Sequence, residues 1–242
     1  MQHSFRYGEE TIRYQVRFRA LRKSGRIAIH VEPDGRVVVD APDDSSEDKV
    51  KMAVRARARW IHSHVEAIRH RKAGVFPREY VSGESILYFG RRYRLKVVVE
   101  ASAMGSVHLR GAFVEVGVPH QRKSLIRAAL LGWYRARAKL VLAERLKEVA
   151  SGLHWTKVLP PTRFQVMKTQ WGSCSPAGTL TLNPYLIRAP RECIDYVLLH
   201  ELCHLKQHNH SPRFFRLLDA HMPEWRKIKT RLDTLAELIL NV

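Results

Sequence analysis

Four histidines and a carboxylate fall within one short run, His200-Glu201-Leu202-Cys203-His204-Leu205-Lys206-Gln207-His208-Asn209-His210. Helical residues four apart lie on one face, so His200 and His204 can share one tetrahedral metal ion. Glu201 follows the first of them directly, where it reaches a water on that metal without ligating it. This is the H-E-x-x-H arrangement of zinc hydrolases, with the glutamate as general base. Three neutral imidazoles leave zinc its full charge and one open position, the condition for acidifying water.

These residues need a rigid frame. Cys193-Ile194-Asp195-Tyr196-Val197-Leu198-Leu199 is largely apolar and free of Gly and Pro, and Pro190 suits a helix start, so the motif is expected on a largely buried helix. Asn209 can end that helix, and Ser211-Pro212 reads as an N-cap and first-turn proline opening a second one. His210 is thereby pinned between two helices as the third ligand. His208 is its rival, stacking in line with His200 and His204 if the first helix continues, and otherwise lying on the rim. The plainer reading, that these are surface residues of a chain with thirteen histidines, leaves Glu201 beside an apolar run unexplained.

Upstream, residues 164–183 alternate apolar and polar positions on both sides of Ser175-Pro176-Ala177-Gly178, the pattern of a β-hairpin. Its free edge can pair with an extended peptide and set a scissile carbonyl over the metal, or the hairpin simply shields the helix. Trp171, Gly172 and Ser173 are the candidate substrate-binding residues. The oxyanion needs a donor, for which Tyr185, His221 and a main-chain amide near Gly172 are all open. Cys203 faces away from the ligand side of the helix, whereas a loop could bring the Cys174 thiolate close to zinc.

Lys168-Thr169-Gln170-Trp171-Gly172-Ser173-Cys174-Ser175, Leu180-Thr181-Leu182-Asn183, Ile194-Asp195-Tyr196-Val197, His200-Glu201-Leu202-Cys203-His204 and Asn209-His210-Ser211-Pro212-Arg213-Phe214 together resemble the YgjP-like metallopeptidase family, related to gluzincin-type and SprT/WLM-type zinc peptidases. The match is specific over residues 160–225. The resemblance implies His200, His204 and His210 as zinc ligands, Glu201 as catalytic acid/base, and a peptide or protein substrate. Cys203 stands where the family often has a small residue. Some relatives are described as nucleotide-hydrolysing, and others are joined to restriction enzymes.

Lys plus Arg number 42 against 23 Asp plus Glu, a net charge of +19 in 242 residues. That excess exceeds what solubility favours and implies an anionic partner, so nucleotide or nucleic acid contact through the basic surface stays open. Arg13, Arg17 and Arg19 share a strand parity, and Arg55 and Arg59 a helix face. No zinc finger, Gly-rich phosphate loop or RNP signature is present. Three cysteines, Cys174, Cys193 and Cys203, form no disulfide framework. With no apolar leader and no membrane-length apolar run, the expectation is a cytoplasmic protein without membrane contact.

Strands are expected over 11–21, 26–32 and 36–39, the last two joined by a turn at Pro33-Asp34-Gly35, with a helix over 47–71. Further strands should include Tyr93–Val99, 107–109 and 113–118, followed by a long helix over 123–149; no internal repeat is visible. The expected fold is α+β: an N-terminal antiparallel β-rich module (1–120), then a zincin-like domain (121–242) with a β-hairpin beside the HExxH helix. The leading function is zinc-dependent peptide hydrolysis. Metal-dependent hydrolysis of a nucleotide phosphoanhydride, and a nucleic-acid-associated protein with a structural metal site, are the alternatives.

Overall fold

Alternating side chains build the first sheet. In the computed structural model, which describes residues 2–19, 27–32, 35–73, 76–103, 105–167 and 170–241, Ile12, Tyr14 and Val16 point to one face of a strand and are buried, while Arg13 and Arg17 are exposed on the other. The strands are β1 (Gln2–Tyr7), β2 (Glu10–Arg19), β3 (Ala28–Val31) and β4 (Val37–Pro42), in the order β1-β2-β4-β3. β2 and β4 run parallel, with Val16 opposite Val39, so this sheet is mixed rather than antiparallel. Helices α1 (Glu47–Ala56) and α2 (Ala58–Ala73) cover its buried face with Val50, Val54, Ile61 and Val65. Ser46 caps α1, its Oγ accepting from the Lys49 N–H. The single helix expected over 47–71 is therefore interrupted at Arg57, a break with no signature in its apolar stripe. The expected turn at Pro33-Asp34 and the side chain of Arg19 lie outside the described residues.

The second sheet repeats the first. Strands β5 (Ser85–Tyr88), β6 (Arg91–Val99), β7 (Val107–Arg110) and β8 (Phe113–Val118) follow the order β5-β6-β8-β7, again with outer antiparallel pairs about a parallel centre. The topology thus duplicates although no repeat is legible in the sequence. Next come α3 (Lys123–Ser151), the short strands β9 (Thr162–Phe164), β10 (Gly172–Cys174) and β11 (Leu180–Leu182), a 3-10 turn (Pro184–Arg188), and helices α4 (Arg191–His204), α5 (Pro212–His221) and α6 (Trp225–Leu240). Among the described residues no helix is long and apolar enough to cross a membrane.

Two compact units result, Met1–Phe76 and Pro77–Val242. The division falls at 76/77 rather than 120/121 because Ile86, Leu95 and Val114 of the second sheet share one core with Ile126 and Leu142 of α3 and Leu198 of α4. Each such side chain withdrawn from water contributes roughly 2 kcal/mol, and a cut at 120 would expose both halves of that core.

The hairpin is shorter than its alternation suggests. β10 and β11 pair antiparallel from Gly172 opposite Leu182 to Cys174 opposite Leu180, while Phe164 ends β9, which runs parallel to β11. Between them Asn183 anchors the backbone on β11, its amide donating to the carbonyls of Met167 and Gln170 at 2.7 and 3.2 Å.

Candidate active site

Helix α4 is apolar on nearly every side. Cys193, Ile194, Tyr196, Val197, Leu198, Leu199, Leu202 and Cys203 are all buried, which fixes its rotation and leaves His200 and His204 turned to a cavity of about 460 Å³. The helix ends at His204, whose Nδ1 lies 3.1 Å from the Gln207 carbonyl, an arrangement that puts the ring proton on Nδ1 and frees Nε2. Ser211 caps α5 by accepting from the Phe214 N–H at 3.4 Å, with Pro212 in the first turn, and this brings His210 back beside α4. The Nε2 atoms of His210 and His200 are 3.0 Å apart, and one ring nitrogen from each of His200, His204 and His210 lies within 4.8 Å of the others. His208 also lines the cavity, exposed and outside that trio.

Burial, followed by the neighbouring His204 and His210, holds His200 down at about 3, and burial likewise lowers His204 and His210. All three rings are neutral donors near pH 7. Beneath them lies Phe214, fully buried, with its centroid 4.7 to 4.9 Å from each imidazole. Glu201, 5% exposed, is pushed up to about 8 by burial alone. Its carboxylate lies against Gly172 of β10, where a Cβ would come within 2.8 Å of Oε1.

Trp171, Gly172 and Ser173 line the cavity with Cys174. β10 is the outermost strand of its sheet. Trp171 and Ser175 engage β11 through the Asn183 N–H and Thr179 carbonyl bonds, so by antiparallel alternation Gly172 and Cys174 turn their main-chain groups to the open edge.

Two expected oxyanion donors are elsewhere. Tyr185 is buried in the core, because the 3-10 turn directs it inward, and the exposed His221 packs edge-on against Trp155 at 5.1 Å; neither lines the cavity. Tyr196, Lys229 and Asp233 do line it and escaped the sequence reading. Tyr196 precedes His200 by four residues, a signal that was available; α6 reaches the site only through tertiary packing. Cys203 is fully buried with its thiol pushed up to about 12. Cys174 lines the cavity without joining the histidine trio. A second cluster, Glu10, His62 and Glu66, already holds a cation, since Arg69 donates to the two carboxylates at 2.8 and 2.6 Å.

The sequence profile of the YgjP-like metallopeptidase domain matches residues 25–235. The chain belongs to the YgjP-like family. Membership brings a metallopeptidase domain and implies a divalent metal. Two solved metallopeptidase zymogens are similar over a smaller part: jannalysin of Methanocaldococcus jannaschii, at 26% identity over 38% of this chain and 92% of that one with a TM-score of 0.34, and abylysin of Pyrococcus abyssi, at 28% over 40% and 91% with a TM-score of 0.33. No curated protein matches.

Proposed function

We propose that this protein is a zinc-dependent peptidase in which His200, His204 and His210 hold the metal and Glu201 moves the proton. The carrying observation is the convergence of three neutral imidazoles beside a buried carboxylate. The donor set fits zinc: two unprotonated Nε2 atoms at 3.0 Å repel one another unless a proton or cation lies between them. Among the described residues no fourth His, Cys, Asp or Glu joins the cluster, as a catalytic rather than a structural site requires. Bound there, zinc would supply a Lewis acid that polarises the scissile carbonyl and acidifies water.

The remaining work falls to the chain's own groups. Glu201, with an affinity for protons near neutrality, takes one from water and delivers it to the leaving amine. The open edge of β10 pairs with an extended peptide through Gly172 and Cys174, aligning the bond to be cut. Trp171 and Ser173 flank that peptide, and the β10 amides are the oxyanion donors nearest the carboxylate.

The test assays zinc-loaded protein and E201Q against a peptide library and a nucleoside triphosphate panel. Peptide turnover, lost in E201Q with zinc content unchanged, is the expected result. Triphosphate turnover lost in E201Q would replace the peptidase reading with phosphoanhydride hydrolysis. Cleavage surviving both mutation and chelator belongs to a contaminant.

A further inference from the structure

A second cavity, of about 720 Å³, opens where the β5–β6 turn meets the start of α4, and it shares no lining residue with the histidine cavity. Four arginines line it, Arg91, Arg137, Arg191 and Arg231. Only one carboxylate does, Glu192, and it is taken up by Arg231. Among the described residues Arg91, Arg137 and Arg191 have no acidic partner, so three positive charges face one space uncompensated.

Rings rather than carboxylates orient two of them. Arg137 donates through Nε and Nη2 to the Tyr88 hydroxyl at 3.1 and 3.0 Å, and Arg191 lies 5.0 Å over the Phe89 ring. Their remaining N–H groups are left for a ligand, with side-chain entropy already spent.

The wall is built to stay in place. Phe89 holds a positive φ of 50°, unusual for an aromatic residue, and Gly90 follows at 71°. Their N–H groups donate to the carbonyls of Ile187 and Arg188, both at 3.0 Å. A Cβ on Gly90 would strike Pro190 Cγ at 2.7 Å and its Cα at 2.9 Å, so only glycine allows the turn this close to the helix. Strain of this kind persists where the surroundings over-determine it.

We propose that this cavity binds a phosphoryl oligoanion, a ligand bearing two or more linked phosphoryl groups, independently of the metal centre. Planar guanidinium forks match phosphoryl oxygens two at a time. A diphosphate gathers several such oxygens and a matching charge in one compact group, whereas the carboxylates of a peptide are spread along its chain.

The test titrates the metal-loaded 242-residue protein with inorganic pyrophosphate by calorimetry, beside sulfate, an oligoglutamate peptide and a thymidine oligonucleotide. Pyrophosphate should bind at least about tenfold tighter than sulfate. R91A/R191A should weaken it by about tenfold or more, and R92A/R94A, which removes the same charge from exposed positions outside the cavity, by roughly twofold at most. Equal weakening by both variants would assign the binding to diffuse charge and overturn the proposal. So would affinity surviving R91A/R191A, which would place the anion elsewhere, the metal included. Preference for oligoglutamate, or for the oligonucleotide alone, would make the cavity an acidic-peptide or nucleic-acid surface instead. Should R91A/R191A lose its fold, R91K/R191K keeps charge and bulk but not the forks, and the same comparison applies.

Discussion

Gly172 of β10 and Glu201 of α4 are in contact with no room for a side chain between them: a Cβ on Gly172 would stand 2.7 Å from Cγ of Glu201. The strand edge and the proposed base are set against each other by the absence of a methyl group. G172A is therefore expected to shift the carboxylate while sparing the histidines. Peptidase kcat should fall by about 100-fold, the cost of misplacing a reacting group by ~1 Å, with zinc stoichiometry unchanged. Activity within a few-fold of wild type would disconnect this glycine from the chemistry.

Zinc should stabilise the fold as well as activate it. Without a cation, the Nε2 atoms of His200 and His210 face one another at 3.0 Å, and His200 Nδ1 is buried with no partner among the described residues. Urea unfolding with free zinc at ~100 times Kd should show about 2.7 kcal/mol of added stability. The gain should vanish in H210A. An equal gain in that variant would mean that zinc binds elsewhere.

The cysteines differ in reactivity because only a thiolate attacks. Burial pushes Cys193 up to about 11 and Cys203 up to about 12, and both are inaccessible; Cys174 is also raised, by burial and then by Glu201, but is only half-buried. At pH 8 a maleimide reagent should label native protein at Cys174 alone and unfolded protein at all three. Labelling should accelerate as pH rises and the thiolate fraction grows. Rapid native labelling of Cys203 would contradict the packing of α4.

Arg188 ties the end of α6 to the 3-10 turn that precedes α4. It is 1% exposed, donates to the carbonyls of Leu238, Ile239 and Asn241 at the end of α6, and stacks 5.3 Å from the Tyr134 ring. Here the negative end of a helix dipole offsets a buried cation. R188A leaves those carbonyls without donors and should cost roughly 3–5 kcal/mol in chemical denaturation, with R188K recovering part. A loss below about 1 kcal/mol would show that water replaces the guanidinium.

What the sequence disclosed was local. The helix carrying His200 and His204, its proline start, and the Ser211-Pro212 cap behind His210 all follow from residues a few positions apart, and α4 and α5 lie where those signals put them. The parallel pairings of β2 with β4 and β6 with β8 join segments whose alternation carries no strand direction, so the duplicated sheet stayed hidden. Residue type misled at Tyr185, a suitable oxyanion donor by chemistry that the core claims by burial. Phe214 underlies all three imidazoles, a role that no local pattern marks because it depends on how α5 docks.

The open edge of β10 has a consequence for solubility. Unpaired main-chain groups at a sheet edge can recruit the edges of other molecules and lead to aggregation. This edge contributes only three residues, and Pro176 lies two residues past its end. So short an edge offers few main-chain groups to a second molecule, and it invites self-association less than a longer one would.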